Sequence, residues 1–212
     1  MTVDPVSLAA ASLGVSGASL ILSTTNAWLT LLKPGIVKMV RPPLVAFMNA
    51  PGDGPKVWVR ALLYSTSARG NVVESLYVRL RRGGSEQTFS FWACGERDQL
   101  VSGCGLYVGR EGVTSNHHFL LPWEERGRTE FVAGEYELSV YATLVGQSRK
   151  RSLCTLQVVL SEGHARALAS AGSDYVGFIW GLASARYTAS LHTKDSPAPA
   201  PWQYIVPFRD PD

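Results

Sequence analysis

Two adjacent histidines and a nearby thiol are the residues of this chain most suggestive of chemistry. His117 and His118 sit in the run Asn116-His117-His118-Phe119, with Cys104 upstream. Imidazole beside thiol is the pairing used for an activated nucleophile or a metal ligand set. On an extended strand, however, neighbouring side chains leave opposite faces. The two imidazoles cannot then share one ion without distortion, and the simpler expectation is one core histidine and one surface histidine. His164 and His192 lie far away in different contexts. Cys104 belongs to Gly103-Cys104-Gly105-Leu106-Tyr107-Val108-Gly109. A phosphate loop needs its glycines between a strand and a helix N-terminus, and no helix start follows here. These glycines instead suit bulges or close strand packing, and Cys104 reads as a small buried hydrophobe.

The carboxylates add little. Glu96 and Asp98, and the pair Glu124-Glu125, stand beside arginines in loop-like stretches, which are solvated turns unless geometry selects a hydrolytic pair. Cys94, Cys104 and Cys154 are odd in number and irregular in spacing, which argues against both a disulfide framework and a zinc site. Neither cofactor nor metal is expected, and the chain reads as non-catalytic. The alternative, a ligand-binding or hydrolytic protein, would place its site around His117, His118 and Cys104.

The elements that must position these residues are mostly strands. In the segment beginning at Lys56, Val57, Val59, Ala61 and Leu63 point one way, while Trp58, Arg60, Leu62 and Tyr64 point the other. Leu76, Val78 and Leu80 alternate in the same manner with Tyr77, Arg79 and Arg81. Similar runs cover 87–93, 106–108, 115–121, 135–144 and 152–161, separated by Gly, Asn, Asp and Pro clusters that signal turns. A hairpin is expected from Phe178-Ile179-Trp180 and Arg186–Leu191 about Gly181-Leu182-Ala183-Ser184, and Glu162 to Ala171 reads as a short helix or an irregular link.

Ala133-Gly134-Glu135-Tyr136-Glu137-Leu138-Ser139-Val140-Tyr141-Ala142 resembles the penultimate strand of immunoglobulin-like domains, and Leu153–Val159 resembles their last strand. The resemblance spans roughly residues 43–161. It implies an antiparallel immunoglobulin-like β-sandwich in which Tyr136, after the Gly134 turn, returns its hydroxyl to the backbone as a tyrosine corner. The paired cysteines and core tryptophan of antibody domains are missing, so the resemblance implies fold and no activity.

Before this body lies a different kind of sequence. Between Asp4 and Lys33 there are 28 consecutive uncharged residues. The organisation expected is an apolar helix over 1–33, a β-sandwich with a C-terminal hairpin over 34–195, and a proline-rich tail over 196–212. Residues 7–32 are long enough to span a bilayer, and Trp28 suits the interface. Ala10, Gly14 and Ala18 form a row of small residues that lets helices approach closely, while Leu20 lies near the middle of the run. The basic n-region of a secretory signal is missing. Lys33, Lys38 and Arg41 follow the run, which by the positive-inside rule keeps the body in the cytoplasm, consistent with reduced cysteines.

The net charge of +3 is too small to argue for nucleic acid. Arg79, Arg81 and Arg82, and Arg149-Lys150-Arg151, read as solvated strand ends. Three roles remain: a membrane-anchored interaction or scaffold module with a cytoplasmic body, a soluble assembly subunit that packs its apolar helix on protein, and the ligand-binding or hydrolytic alternative. The first two imply a protein partner or self-association.

Overall fold

The computed structural model describes residues 5–32, 35–50, 54–95, 101–102, 105–126, 129–170 and 175–192. Helix α1 (Pro5–Ala27) opens the chain and passes into a π-helical turn, Trp28–Leu32. Proline is tolerated in the first helical turn because that N–H has no intrahelical partner. The hydroxyls of Ser12, Thr24 and Thr30 donate to the carbonyls of Ala9, Leu20 and Asn26 at 2.9, 2.8 and 2.7 Å. Such back-bonding lets polar side chains ride on an apolar helix. Among the described residues no helix is long and apolar enough to cross a membrane. With 23 residues, α1 would extend about 34 Å at the usual rise, so it is apolarity that falls short.

The body is antiparallel sheet throughout. Its strands are β1 (Val37–Met39), β2 (Leu44–Ala50), β3 (Gly54–Ser65), β4 (Asn71–Arg82), β5 (Ser85–Cys94), β6 (Val101–Ser102), β7 (Leu106–Val108), β8 (Val113–Leu120), β9 (Gly134–Leu144), β10 (Arg151–Leu160), β11 (Tyr175–Gly181) and β12 (Arg186–His192). Helix α2 (Glu162–Ala169) follows β10. The main path through the sheet runs β10-β9-β4-β5-β8-β3-β2-β11-β12, with β1 on β3, β6 on β5 and β7 on β4. Two packed sheets were expected. Instead β5 pairs with β4 on one side and β8 on the other, so one sheet curls into a nearly closed barrel. Strand β10 packs beside β12 without a backbone ladder, and this seam is where closure stops.

The alternation sorts inside from outside as expected. Val57, Val59, Ala61 and Leu63 of β3 and Leu76, Val78 and Leu80 of β4 are buried, while Trp58, Arg60, Leu62 and Tyr64 lie on the other face. At the barrel's heart Phe47 stacks on Phe131, centroids 4.6 Å apart, and meets Phe178 edge-on at 4.9 Å. Strand β2 was not anticipated, because Leu44-Val45-Ala46-Phe47-Met48 is nearly continuous apolar sequence with no period-two signature. Helix α2 starts at the Ser161 cap, whose hydroxyl accepts from the His164 N–H. Its buried Leu168 covers one end of the core, and the Leu168 carbonyl accepts from Asn49 Nδ2 at 2.7 Å. The C-terminal hairpin is present, its ladder ending at Gly181 opposite Arg186.

Gly134 has φ of +146°, outside the comfortable range of an L-residue. From that turn the chain enters β9, where the buried Tyr136 hydroxyl donates to the Val132 carbonyl. Its ring meets Phe47 edge-on at 5.5 Å. Tyr136→Phe keeps the ring and strands a carbonyl. We expect a loss of about 1–3 kcal/mol in unfolding free energy, measured by chemical denaturation with an unchanged m-value.

Candidate functional site

The histidine pair separates as strand geometry requires. His117 and His118 are consecutive on β8. His117 points into the barrel and is fully buried, opposite Val59 on β3 and Cys94 on β5, with the Phe91 ring 6.2 Å away. Neither of its ring nitrogens has a hydrogen-bond partner among the described residues. His118 lies on the outer face. Its ring stacks parallel to Trp58 at 6.1 Å, and Nε2 lies 3.4 Å from the Gly95 carbonyl oxygen. The two imidazoles therefore do not form one site. Cys104, the third member of that constellation, lies outside the described residues, as do Glu96, Asp98, Lys33 and the 196–212 tail.

The other candidate groups are scattered. Among the described residues no group of three or more His, Cys, Asp or Glu side chains is placed to hold a metal. Cys94 and Cys154 are in no disulfide, and burial pushes the Cys154 thiol up, away from thiolate. Glu124 and Glu125 are exposed in a 3-10 turn, Trp123–Glu125. Of the two basic patches, Arg79 and Arg81 are neutralised across strands. Arg79 Nε lies 3.1 Å from Glu86, and Arg81 lies 3.7 Å from Glu86 and 3.6 Å from Glu137.

The other basic patch does something the sequence hid. Strand β1 pairs with the end of β3, setting Lys38 opposite Tyr64 and Met39 opposite Leu63. That places β1 beside the first residues of β10, and a cleft of about 610 Å³ opens between them. Lys38, Met39, Tyr64, Arg149, Arg151 and Leu153 are among its lining residues, and no carboxylate is. Arg151 Nε donates to Gln147 Oε1 at 3.2 Å, and Lys150 Nζ sits 5.3 Å from the Tyr77 ring centroid. The chemistry on offer is an anion-attracting lip over a partly apolar floor. Lys38 and Arg149 are far apart in sequence, and only the pairing of β1 with β3 brings them together.

A second feature without a local signature is an aromatic row on the outer face. His118 stacks on Trp58, Trp58 meets Tyr175 edge-on at 6.1 Å, and Tyr175 stacks on His192 at 4.9 Å. The His192 Nε2 lies 2.8 Å from Ser190 Oγ. Contacts of this kind tie strands together at about 0.2–1 kcal/mol each, so the row braces β8, β3, β11 and β12. No protein-family model, no curated protein and no solved structure matches the chain.

The buried imidazole has a measurable consequence. Burial, and then the charge of neighbouring His118, lower the pKa of His117 from 6.5 to about 4. Between those values the unfolded chain binds the extra proton, so stability falls as pH drops through that window and is flat above it. The full loss is about 3 kcal/mol at roughly 1.4 kcal/mol per unit. Urea denaturation from pH 7 to pH 4 should show this slope in the wild type. His117→Leu should remove most of it, leaving the smaller contribution of His192, whose pKa burial also lowers.

Proposed function

We propose that this protein is a non-catalytic interaction or scaffold module, tethered through α1 and presenting the edges and loops of its β body to a protein partner. One observation carries this reading. Every described side chain of α1 is exposed, and Val6, Leu13, Val15, Leu20, Ile21 and Leu22 are each more than two-thirds accessible. The following turn comes near the barrel, where Leu29 and Thr30 border a cavity with Ser67 and Arg110. An apolar helix that is apolar on all sides needs burial on all sides. Its own body does not supply it.

The host best supported is protein, namely α1 of other copies. Ala10, Gly14 and Ala18 recur at helical spacing, so helices can approach closely there, and the helix is not apolar enough to cross a membrane. The second reading, a membrane anchor with the body in the cytoplasm, is favoured by a different observation. The uncharged run is followed by Lys33, Lys38 and Arg41 with no acid before Asp53, the charge pattern that flanks a cytoplasmic span end.

The body itself is best read as an immunoglobulin-like domain. The order β10-β9-β4 and the order β5-β8-β3-β2 repeat the G-F-C and D-E-B-A orders of such sandwiches. The Tyr136 hydrogen bond to the residue four positions upstream is the contact a tyrosine corner makes. The departures are the link through β5, which joins both halves, and the added β11–β12 hairpin. Such a domain supports partner binding through edges and loops as readily as anything else, which is why the tether carries the functional argument.

Light scattering on the full chain, without detergent, decides between the hosts. We expect a defined multimer for the wild type and a monomer for a chain lacking residues 1–32. The shortened chain should keep its strand spectrum and its stability within about 0.5 kcal/mol, since α1 is not part of the core. Gly14→Leu should weaken the multimer, and Leu20→Arg should abolish it with the body still folded. Sedimentation with membranes that resists salt and carbonate would move the anchor to first place. A monodisperse monomer of the full chain in plain buffer would overturn both readings.

A further inference from the structure

The cationic cleft at the barrel seam carries an inference that does not depend on α1. Strand β12 packs beside β10, and β1 packs against the head of β10, so no further strand has room at this edge. The space left is a compact cleft of about 610 Å³. Pockets that hold one small molecule run from roughly 300 to 1,000 Å³. The cleft lies at the end of the barrel from which α1 departs. Ile36 lines it, and neighbouring Gly35 lines the cavity bordered by Leu29 and Thr30.

Charge says what fits there. Lys38 on β1, Arg149 and Lys150 before β10, and Arg151 at its first residue all line the cleft, and no Asp or Glu does. Arg79 and Arg81, by contrast, are answered by Glu86 and Glu137. Lys38 and Arg149 are exposed and have no ion-pair partner among the described residues. Cations gathered without an acid repel one another, and a multiply charged anion relieves that repulsion. A phosphate group carries about −1.5 to −2 charge at pH 7 and three acceptor oxygens. It can engage several of these donors at once, the arginines through their paired N–H fork. Tyr64 and Ser152 add hydroxyls to the lining. The remaining lining is apolar: Ile36 and Val40 are 37% and 46% exposed, and Met39 and Leu153 are half-buried. A bare inorganic anion would leave these side chains in water, whereas a carbon skeleton attached to the phosphate covers them. A nucleic acid is a poorer occupant. It needs a basic groove that tracks successive phosphates past several stacking rings, and the lining of this cleft holds one aromatic ring, that of Tyr64.

We infer that the cleft between β1 and the head of β10 binds an amphipathic phosphomonoester, its phosphate held by Lys38, Arg149, Lys150 and Arg151 and its carbon portion lying on Met39, Val40 and Leu153. A free organic phosphate and a lipid headgroup present this same chemistry. The charged lip raises the association rate and makes binding weaken with salt.

The test uses the full-length chain. Calorimetry with hexyl phosphate probes the free ligand, with hexyl sulfate (the same chain bearing a single charge) and a single-stranded oligonucleotide for comparison. Cosedimentation probes the lipid, using phosphatidylcholine vesicles that carry either phosphatidic acid, a phosphomonoester, or phosphatidylglycerol, a diester, at matched surface charge. Neutral phosphatidylcholine vesicles report α1 on its own. We expect saturable binding of hexyl phosphate, tighter than that of hexyl sulfate. A further preference for phosphatidic acid over phosphatidylglycerol would assign the lipid headgroup as the source, and no such preference would assign the free ligand. Lys38→Glu combined with Arg149→Glu should weaken the phosphomonoester by about tenfold or more, the effect of losing charge-assisted hydrogen bonds. Circular dichroism checks that the barrel persists, and Lys38→Gln alone should shift affinity in the same direction. Arg110→Glu combined with Arg186→Glu makes the same change of net charge at exposed residues outside the cleft and should leave affinity unchanged. Absence of both hexyl phosphate saturation and a phosphatidic acid preference overturns the inference. So does equal loss in the two double variants, equal binding of the sulfate, or preferential binding of the oligonucleotide. Because the cleft lies on the β body, these outcomes leave the α1 result untouched, and the converse holds.

Discussion

A strand has two hydrogen-bonding edges, and β5 uses both. On its β4 side Val78 faces Phe89, and on its β8 side Phe91 faces Phe119. Without that double pairing, β10-β9-β4 and β8-β3-β2 would be two independent sheets. With it the sheet must curl, and every inward residue of both halves is delivered to one interior. Irregularities help the bend. The register of β5 against β8 slips between Phe91 and Ala93, and that of β4 against β9 slips between Val73 and Ser75. Bulges of this kind increase local twist and bend the strand that carries them. The Phe91–Ala93 slip also leaves Trp92 on the rim with the Lys56 ammonium 4.5 Å from its ring centroid.

A core organised this tightly leaves little freedom to its polar members. His117 occupies an inward position of β8 that alternation reserves for an apolar side chain, between Val59 and Cys94 in register. An imidazole there keeps its bulk but must stay neutral, because a charged ring would be desolvated among Phe91 and its neighbours. The unpartnered nitrogens are therefore a cost to the fold, and no substrate-accessible surface reaches them. On the other face of the same strand, His118 meets Trp58 and contributes to the bracing row. One dipeptide thus serves the inside and the outside of the sheet.

Much of this was legible in the residues because it depends on period and turn chemistry. The faces of β3 and β4, the opposed histidines, the Gly134 turn with the Tyr136 hydrogen bond and the β11–β12 hairpin are all consequences of local sequence. Strand β2 was not, since Leu44–Met48 has no alternation, and its membership is decided by burial between β3 and β11. Curling into a barrel was not legible either. Whether β5 joins β8 as well as β4 is a question of long-range pairing that no local pattern encodes. The seam cleft shares that origin: Arg149–Arg151 looks like a strand end along the chain, and becomes a lip only when β1 brings Lys38 alongside.

The exposed helix and the cationic cleft of the molecule differ in chemistry. Helix α1 offers apolar side chains with no charge, which gain from any apolar host and discriminate little among them. The seam of the barrel offers fixed positive charge, which selects by sign. Neither can satisfy the other. Burying α1 against the Lys38 and Arg149 lip would desolvate cations without a partner, and that costs more than the apolar contact returns.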